Sequence, residues 1–127
     1  MVSIGLDYIS LVTKLAIANG AVLMLISPMD LATFETKASA VADLLKAIGN
    51  ARRLMLLCKL LEHGEMTVGD LARDVALSQS ACSQHLARMR DEGLVSFRRD
   101  SQTLWYRIAD PRTEALMAAL YQLYCKD

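Results

Sequence analysis

Net charge is the first thing this sequence lacks. Fourteen basic and fourteen acidic residues cancel over 127 positions, which excludes a global field, so any affinity for a polyanion must come from a local patch. Histidine is scarce, with only His63 and His85. Zinc takes about four nitrogen or sulfur ligands, and two histidines far apart in sequence do not easily supply them. Cysteine is present in an odd number, three, so no secreted disulfide framework is in view and a reducing compartment is expected. There is no glycine-rich phosphate loop, paired-carboxylate motif or Ser-His-Asp arrangement, and no CxxC, so neither catalysis nor a cofactor is expected. The longest apolar stretch, Leu11 to Ile26, carries only Lys14 as a charge. It falls short of the roughly 20 residues of a membrane span, and it lacks the basic lead and cleavage site of a signal peptide.

The stretch from Thr67 to Arg107 is where the pattern is densest. Thr67 with Asp70 three residues on reads as a variant capping box. Val68, Leu71, Ala72 and Val75 then recur at helical spacing. Ser78 is a second N-cap, opening a helix from Gln79 to about Asp91, and Gly93 suits its stop. Cys82, Leu86 and Met89 share one face of that helix. Ser80, Ser83, Gln84, Ala87 and Arg88 share the other. Small hydroxyls, an amide and an arginine on an exposed face fit a DNA major groove, where they pair with base edges.

A β-prone run follows at Leu94, Val95, Ser96 and Phe97, then a turn at Asp100, Ser101 and Gln102, and a second strand from Thr103 to Ile108. Arg98 and Arg99 are expected at the bend, in reach of backbone phosphate or the minor groove. Five arginines against three acids between Gln84 and Arg107, with His85, make this segment locally basic. A helix-turn-helix running straight into a basic hairpin points to double-stranded DNA. The residues assigned to it are Gln79, Ser80, Ser83, Gln84, Arg88 and, more weakly, His85 on the helix, with Arg98, Arg99 and Gln102 on the hairpin.

Three more helices are legible. Val41, Leu44, Leu45 and Ile48 make an apolar stripe ending at Gly49. Asn50 caps a helix whose Leu54, Leu57, Cys58 and Leu61 are expected to face inward. After Pro111 a last helix carries Leu116, Ala119, Leu120, Leu123 and Tyr124. The fold class is α+β, mainly α. In a domain this small the outermost helices have no core left to cover, so the first and last are expected to pair with a second copy of the chain.

LSQSACSQHLARMRDEGLV followed by RRDSQTLWYRI resembles the ArsR-type winged-helix repressors, and NARRLMLLC resembles the same family's second helix. The likeness runs from about Phe34 to Cys125. It implies a cytoplasmic homodimer that binds an inverted-repeat operator in promoter DNA and leaves on meeting an inducer. On this reading residues 34–127 are the DNA-binding and dimerisation domain. Residues 1–33 are an apolar N-terminal extension, either an extra helix or, as favoured here, sequence translated ahead of a start at Met29.

The resemblance also bears on what is sensed. Metal-responsive members use cysteines in the supporting helix or histidine and carboxylate pairs in the last one. Here the supporting helix, TVGDLARDV, has no thiol or imidazole, and the last offers Glu114 without a histidine. No metal site is expected. Cys58 in RLMLLC and Cys125 in LYQLYC instead resemble the paired cysteines of the sulfide- and persulfide-responsive branch that includes BigR and SqrR. That likeness implies that Cys58 and Cys125 form a dithiol switch read by reactive sulfur species. Alternatives are a NolR-like regulator without redox sensing, or a response to peroxide or another electrophile. Cys82 is assigned to packing.

Overall fold

The computed structural model describes residues 30–125. The apolar extension lies outside the described residues up to position 29. Along the chain come α1 (Leu31–Ile48), α2 (Ala51–His63), β1 (Met66–Thr67), α3 (Val68–Asp74), α4 (Gln79–Asp91), β2 (Val95–Asp100), β3 (Thr103–Ile108) and α5 (Pro111–Tyr124). From Ala40 onward these form one compact unit. No helix among the described residues is long and apolar enough to cross a membrane.

Each helix of this unit that starts within it begins at a side chain able to satisfy orphan N–H groups. Asn50 Oδ1 accepts from the N–H of Arg52 and Arg53 at 3.0 and 3.2 Å. Thr67 Oγ1 accepts from Asp70 N–H at 3.2 Å and Ser78 Oγ from Ala81 N–H at 3.1 Å. Asp110 accepts from Arg112 N–H at 2.9 Å, with Pro111 filling the first position of α5. The box at Thr67 is only half made. The Asp70 carboxylate pairs with Arg73 instead of returning to the cap.

Helices α3 and α4 end alike. After α4, Leu94 N–H bonds Met89 O at 2.9 Å and Gly93 N–H bonds Arg90 O at 3.0 Å, with Gly93 at φ 79°. After α3, Leu77 N–H bonds Ala72 O at 2.9 Å and Ala76 N–H bonds Arg73 O at 3.3 Å, with Ala76 at φ 56°. Both are Schellman ends. One uses the residue that suits positive φ, and the other forces an alanine into it.

The core gathers Leu56, Leu57 and Leu60 of α2, Leu71 of α3, Cys82, Leu86 and Met89 of α4, and Leu94 and Val95, all 2% exposed or less. Met117 of α5 and Tyr106 of β3 close it. Each such side chain contributes about 1.5–3 kcal/mol relative to staying in water. On α4 the buried face is the expected one. On α2 it is so only in part: Leu57 is buried as expected, together with Arg53, Leu56 and Leu60, whereas Leu54, Cys58 and Leu61 are half-buried against the core. The run LMLLCKLL is apolar nearly all the way round, so periodicity does not choose between its stripes. The α1 stripe is likewise partial, with Ile48 buried and Leu45 51% exposed.

The expected two-stranded hairpin is part of a three-stranded antiparallel sheet in the order β1-β3-β2. Met66 faces Tyr106 and Thr67 faces Trp105. A two-residue strand is too short to show a period, and only its partner defines it. Arg98 and Arg99 do not sit at the bend. They lie inside β2, opposite Trp105 and Leu104, and the chain reverses at Ser101-Gln102 with Ser101 at φ 58°.

Candidate nucleic-acid interface

With Cys82, Leu86 and Met89 drawn into the core, α4 turns Gln79, Ser80, Ser83, Gln84 and Arg88 to solvent, and His85 is half-buried. None of these side chains is spent on a hydrogen bond or ion pair with another described residue, so their donors and acceptors stay open to an external partner. Arg90, the other basic residue near the end of α4, is engaged: its guanidinium lies 5.0 Å from the centre of the Phe97 ring.

An open cleft of about 500 Å³ separates α4 from the β2–β3 hairpin, the wing. Its lining includes Gln79 and Ser83 from α4, Gln102 and Thr103 from the hairpin, and Thr67 and Gly69 from the start of α3. Three of the residues assigned from sequence, Gln79, Ser83 and Gln102, thus share one cavity. Thr67 and Thr103 join them without any signal of it in sequence. Each reads there as a cap or a strand residue, and only the pairing of β1 with β3 brings them to this edge.

Strand alternation separates the two wing arginines. Cross-strand partners share a face, so Arg99 shares that of Leu104; the cleft is lined from both faces, by Leu104 on this one and by Thr67 and Thr103 on the other. Arg98 shares the opposite face with Trp105. There its Nε donates to Glu65 Oε2 at 2.8 Å, and its guanidinium lies 5.5 Å from the Trp105 ring centre. Glu65 lies 33 residues away in sequence, and no local pattern announces the pair. Arg99 is exposed and is the uncommitted cation of the wing among the described residues.

The three thiols are free and differently placed. Cys58 is half-buried on α2, and Cys125 is exposed at the C-cap of α5, its N–H bonded to Tyr121 O at 2.8 Å. Helices α2 and α5 pack against each other. Cys82 is wholly inaccessible, and burial pushes its thiol up to about 11. A thiol so raised is almost entirely protonated at neutral pH and a poor nucleophile. Its Sγ lies 3.9 Å from Val68 O, the reach of a weak S–H donor. No three His, Cys, Asp or Glu side chains among the described residues are grouped to hold a metal ion.

The family described as "Bacterial regulatory protein, arsR family" matches residues 50–96, from the cap of α2 into β2. The chain is 43% identical over 100 residues to the transcriptional activator HlyU of Vibrio cholerae, a match spanning 79% of this chain and 92% of that protein. It is 44% identical over 96 residues to the regulator YgaV of Escherichia coli, spanning 76% and 97%. The structure of reduced HlyU superposes with a TM-score of 0.70 at 42% identity, covering 74% of this chain and 98% of that one. That of the transcriptional repressor BigR from Xylella fastidiosa gives 0.71 at 36% identity, covering 78% and 100%. A polar recognition face held by a buried apolar one, a wing across a cleft from it, and likenesses spanning nearly the whole of these regulators place the chain in the arsR family of DNA-binding transcriptional regulators.

Proposed function

We propose that this chain is a cytoplasmic homodimeric repressor, held on an inverted-repeat operator while reduced and released by a dithiol switch that answers reactive sulfur species. The observation that carries the switch is the contrast among the thiols. Cys58 and Cys125 are accessible on two helices that pack together, while Cys82 is sealed in the core with its thiol raised to about 11. Two relatives support it from different sides. BigR is described as a repressor, and the HlyU structure is described as reduced.

Dimerisation is supported by the apolar surface that the compact unit leaves in water. Leu45 on α1 and Tyr121 and Tyr124 on α5 are 51%, 46% and 82% exposed. Pairing these faces with a second copy buries them and sets two recognition helices about 34 Å apart, one turn of DNA. In each half-site Gln79, Ser80, Ser83, Gln84 and Arg88 address the major groove, with His85 at its margin. Arg99 and Gln102 address the flanking backbone. Arg98 joins them only on leaving Glu65.

The chemistry balances with an organic persulfide, RSSH, as oxidant. One cysteine thiolate attacks the outer sulfur, giving a cysteine persulfide and releasing RSH. The second thiolate attacks the inner sulfur of that persulfide, forms the Cys58–Cys125 disulfide and expels hydrosulfide. Two thiols lose two electrons, and the organic persulfide is reduced to RSH and hydrogen sulfide. A link between α2 and α5 then favours a dimer whose heads no longer match the operator.

Peptide mapping after persulfide treatment tests this. A Cys58–Cys125 link in the parent is expected, with Cys58→Ser and Cys125→Ser binding DNA but ignoring the inducer. Release by Cys125→Ser, with no linked peptide in the parent, overturns the two-thiol switch.

A further inference from the structure

Helix α2 begins in a way that helix electrostatics disfavours. The N-terminal end of a helix carries partial positive charge and prefers carboxylates, yet α2 has no acid in its first turn and opens Ala51-Arg52-Arg53. Both guanidiniums find partners on other helices. Arg52 Nη1 donates to Val75 O at 3.0 Å, and Val75 is the C-cap of α3. Arg53, only 9% exposed, donates from Nη1 to Ala47 O at 2.9 Å, in the last turn of α1. The same atom lies 3.9 Å from Glu92 Oε2, and Glu92 is the C-cap of α4. Two adjacent cations therefore reach the negative ends of three other helices, where cations are favoured.

Stability alone is a weak reason for such an arrangement. Apolar residues in place of a buried ion pair often fold as well or better, and Arg53 Nε is buried without a hydrogen-bond partner among the described residues. What the pair supplies is direction. One end of the supporting helix and one end of the recognition helix are both referred to the first turn of α2.

We infer that Arg52 and Arg53 are positioning residues, setting the angle of α3 and α4 against α2 and so the fit of the recognition face to its operator, without touching DNA themselves. This holds whether or not the thiols form a switch. Cys58 lies five residues beyond Arg53, about 7.5 Å along the axis, so a movement of α2 at the thiol carries both anchors with it.

The test uses the full chain, a duplex selected in vitro from a random library, and a shuffled duplex of equal length. Affinities are measured well below each variant's melting temperature. Arg52→Met and Glu92→Gln should each lower the ratio of selected to shuffled affinity by about tenfold, within the range of ordinary coupling between sites. The salt dependence should stay that of the parent, and Arg52→Lys should restore the ratio, because one donor suffices for Val75 O. Glu92 is more exposed than Arg53, so Glu92→Gln keeps the test open if Arg52→Met fails to fold. A parental ratio in either folded variant overturns the inference. So does a salt slope flattened by about one unit in Arg52→Met, because Arg52 would then be a phosphate contact.

Discussion

The two arginines of β2, adjacent in sequence and opposite in face, should behave differently in one assay. Arg99 is exposed on the Leu104 side and has no partner among the described residues. Arg98 is held by Glu65 at 2.8 Å and by the Trp105 ring at 5.5 Å. Neutralising one phosphate contributes about 0.9 to the slope of log affinity against log salt, so removing that contact makes a fourfold rise in salt about 3.5-fold less damaging per head. Arg99→Ala should therefore flatten the slope by about one unit per head and weaken binding to selected and shuffled duplexes alike. Arg98→Ala should leave the slope unchanged. Its cost is to the fold, about 1 kcal/mol, from a partly exposed ion pair and one cation–π contact. Fluorescence anisotropy between about 50 and 200 mM salt, with thermal melts beside it, reads both effects. A slope flattened equally by Arg98→Ala, or untouched by Arg99→Ala, refutes the assignment of Arg98 to the fold and Arg99 to phosphate.

Gln84→Ala should change sequence preference at one base pair by about 1–3 kcal/mol while leaving affinity for shuffled duplex intact; competition against single-base operator variants measures it. Ala76→Gly should stabilise the domain by about 1 kcal/mol, because alanine at φ 56° carries a left-handed penalty that glycine does not. In a domain of this size that raises the melting temperature by roughly 4–8 °C, and a lowered one would contradict the strain at this turn. Native alkylation at about pH 8, near the ordinary thiol range, should reach Cys125 and spare Cys82, whose thiol is inaccessible and pushed up to about 11. Labelling of Cys82 should appear only in denaturant, or with rising pH as the core opens, and mass mapping separates the sites.

The parts legible in sequence share a cause: each rests on short-range chemistry. The caps at Asn50, Thr67 and Ser78, the limits of α4 and the inward face Cys82-Leu86-Met89 all follow from residues within a few positions of one another. What stays hidden depends on distant partners. Met66-Thr67 becomes a strand only beside Tyr106 and Trp105. Glu65 claims Arg98 across 33 positions, and the first-turn arginines of α2 reach Val75, Ala47 and Glu92 only in the folded chain. The wing shows the limit most clearly. Its basic composition is plain, but two arginines side by side in a strand must point opposite ways. Which of them meets Trp105 and Glu65 is decided by a register that the sequence does not state. The inward stripe of α2 differs from the expected one for a related reason, since an all-round apolar run offers the core more than one face.

Operator binding before and after thiol oxidation tests the central claim most directly. The reduced parent protein should bind a selected inverted-repeat duplex as a dimer. Treatment with an organic persulfide should weaken that binding about 100-fold, equivalent to about 2.7 kcal/mol between the two dimer arrangements, and excess dithiothreitol should restore it. Unchanged affinity of a persulfide-treated protein in which Cys58 and Cys125 are shown to be linked would contradict the account.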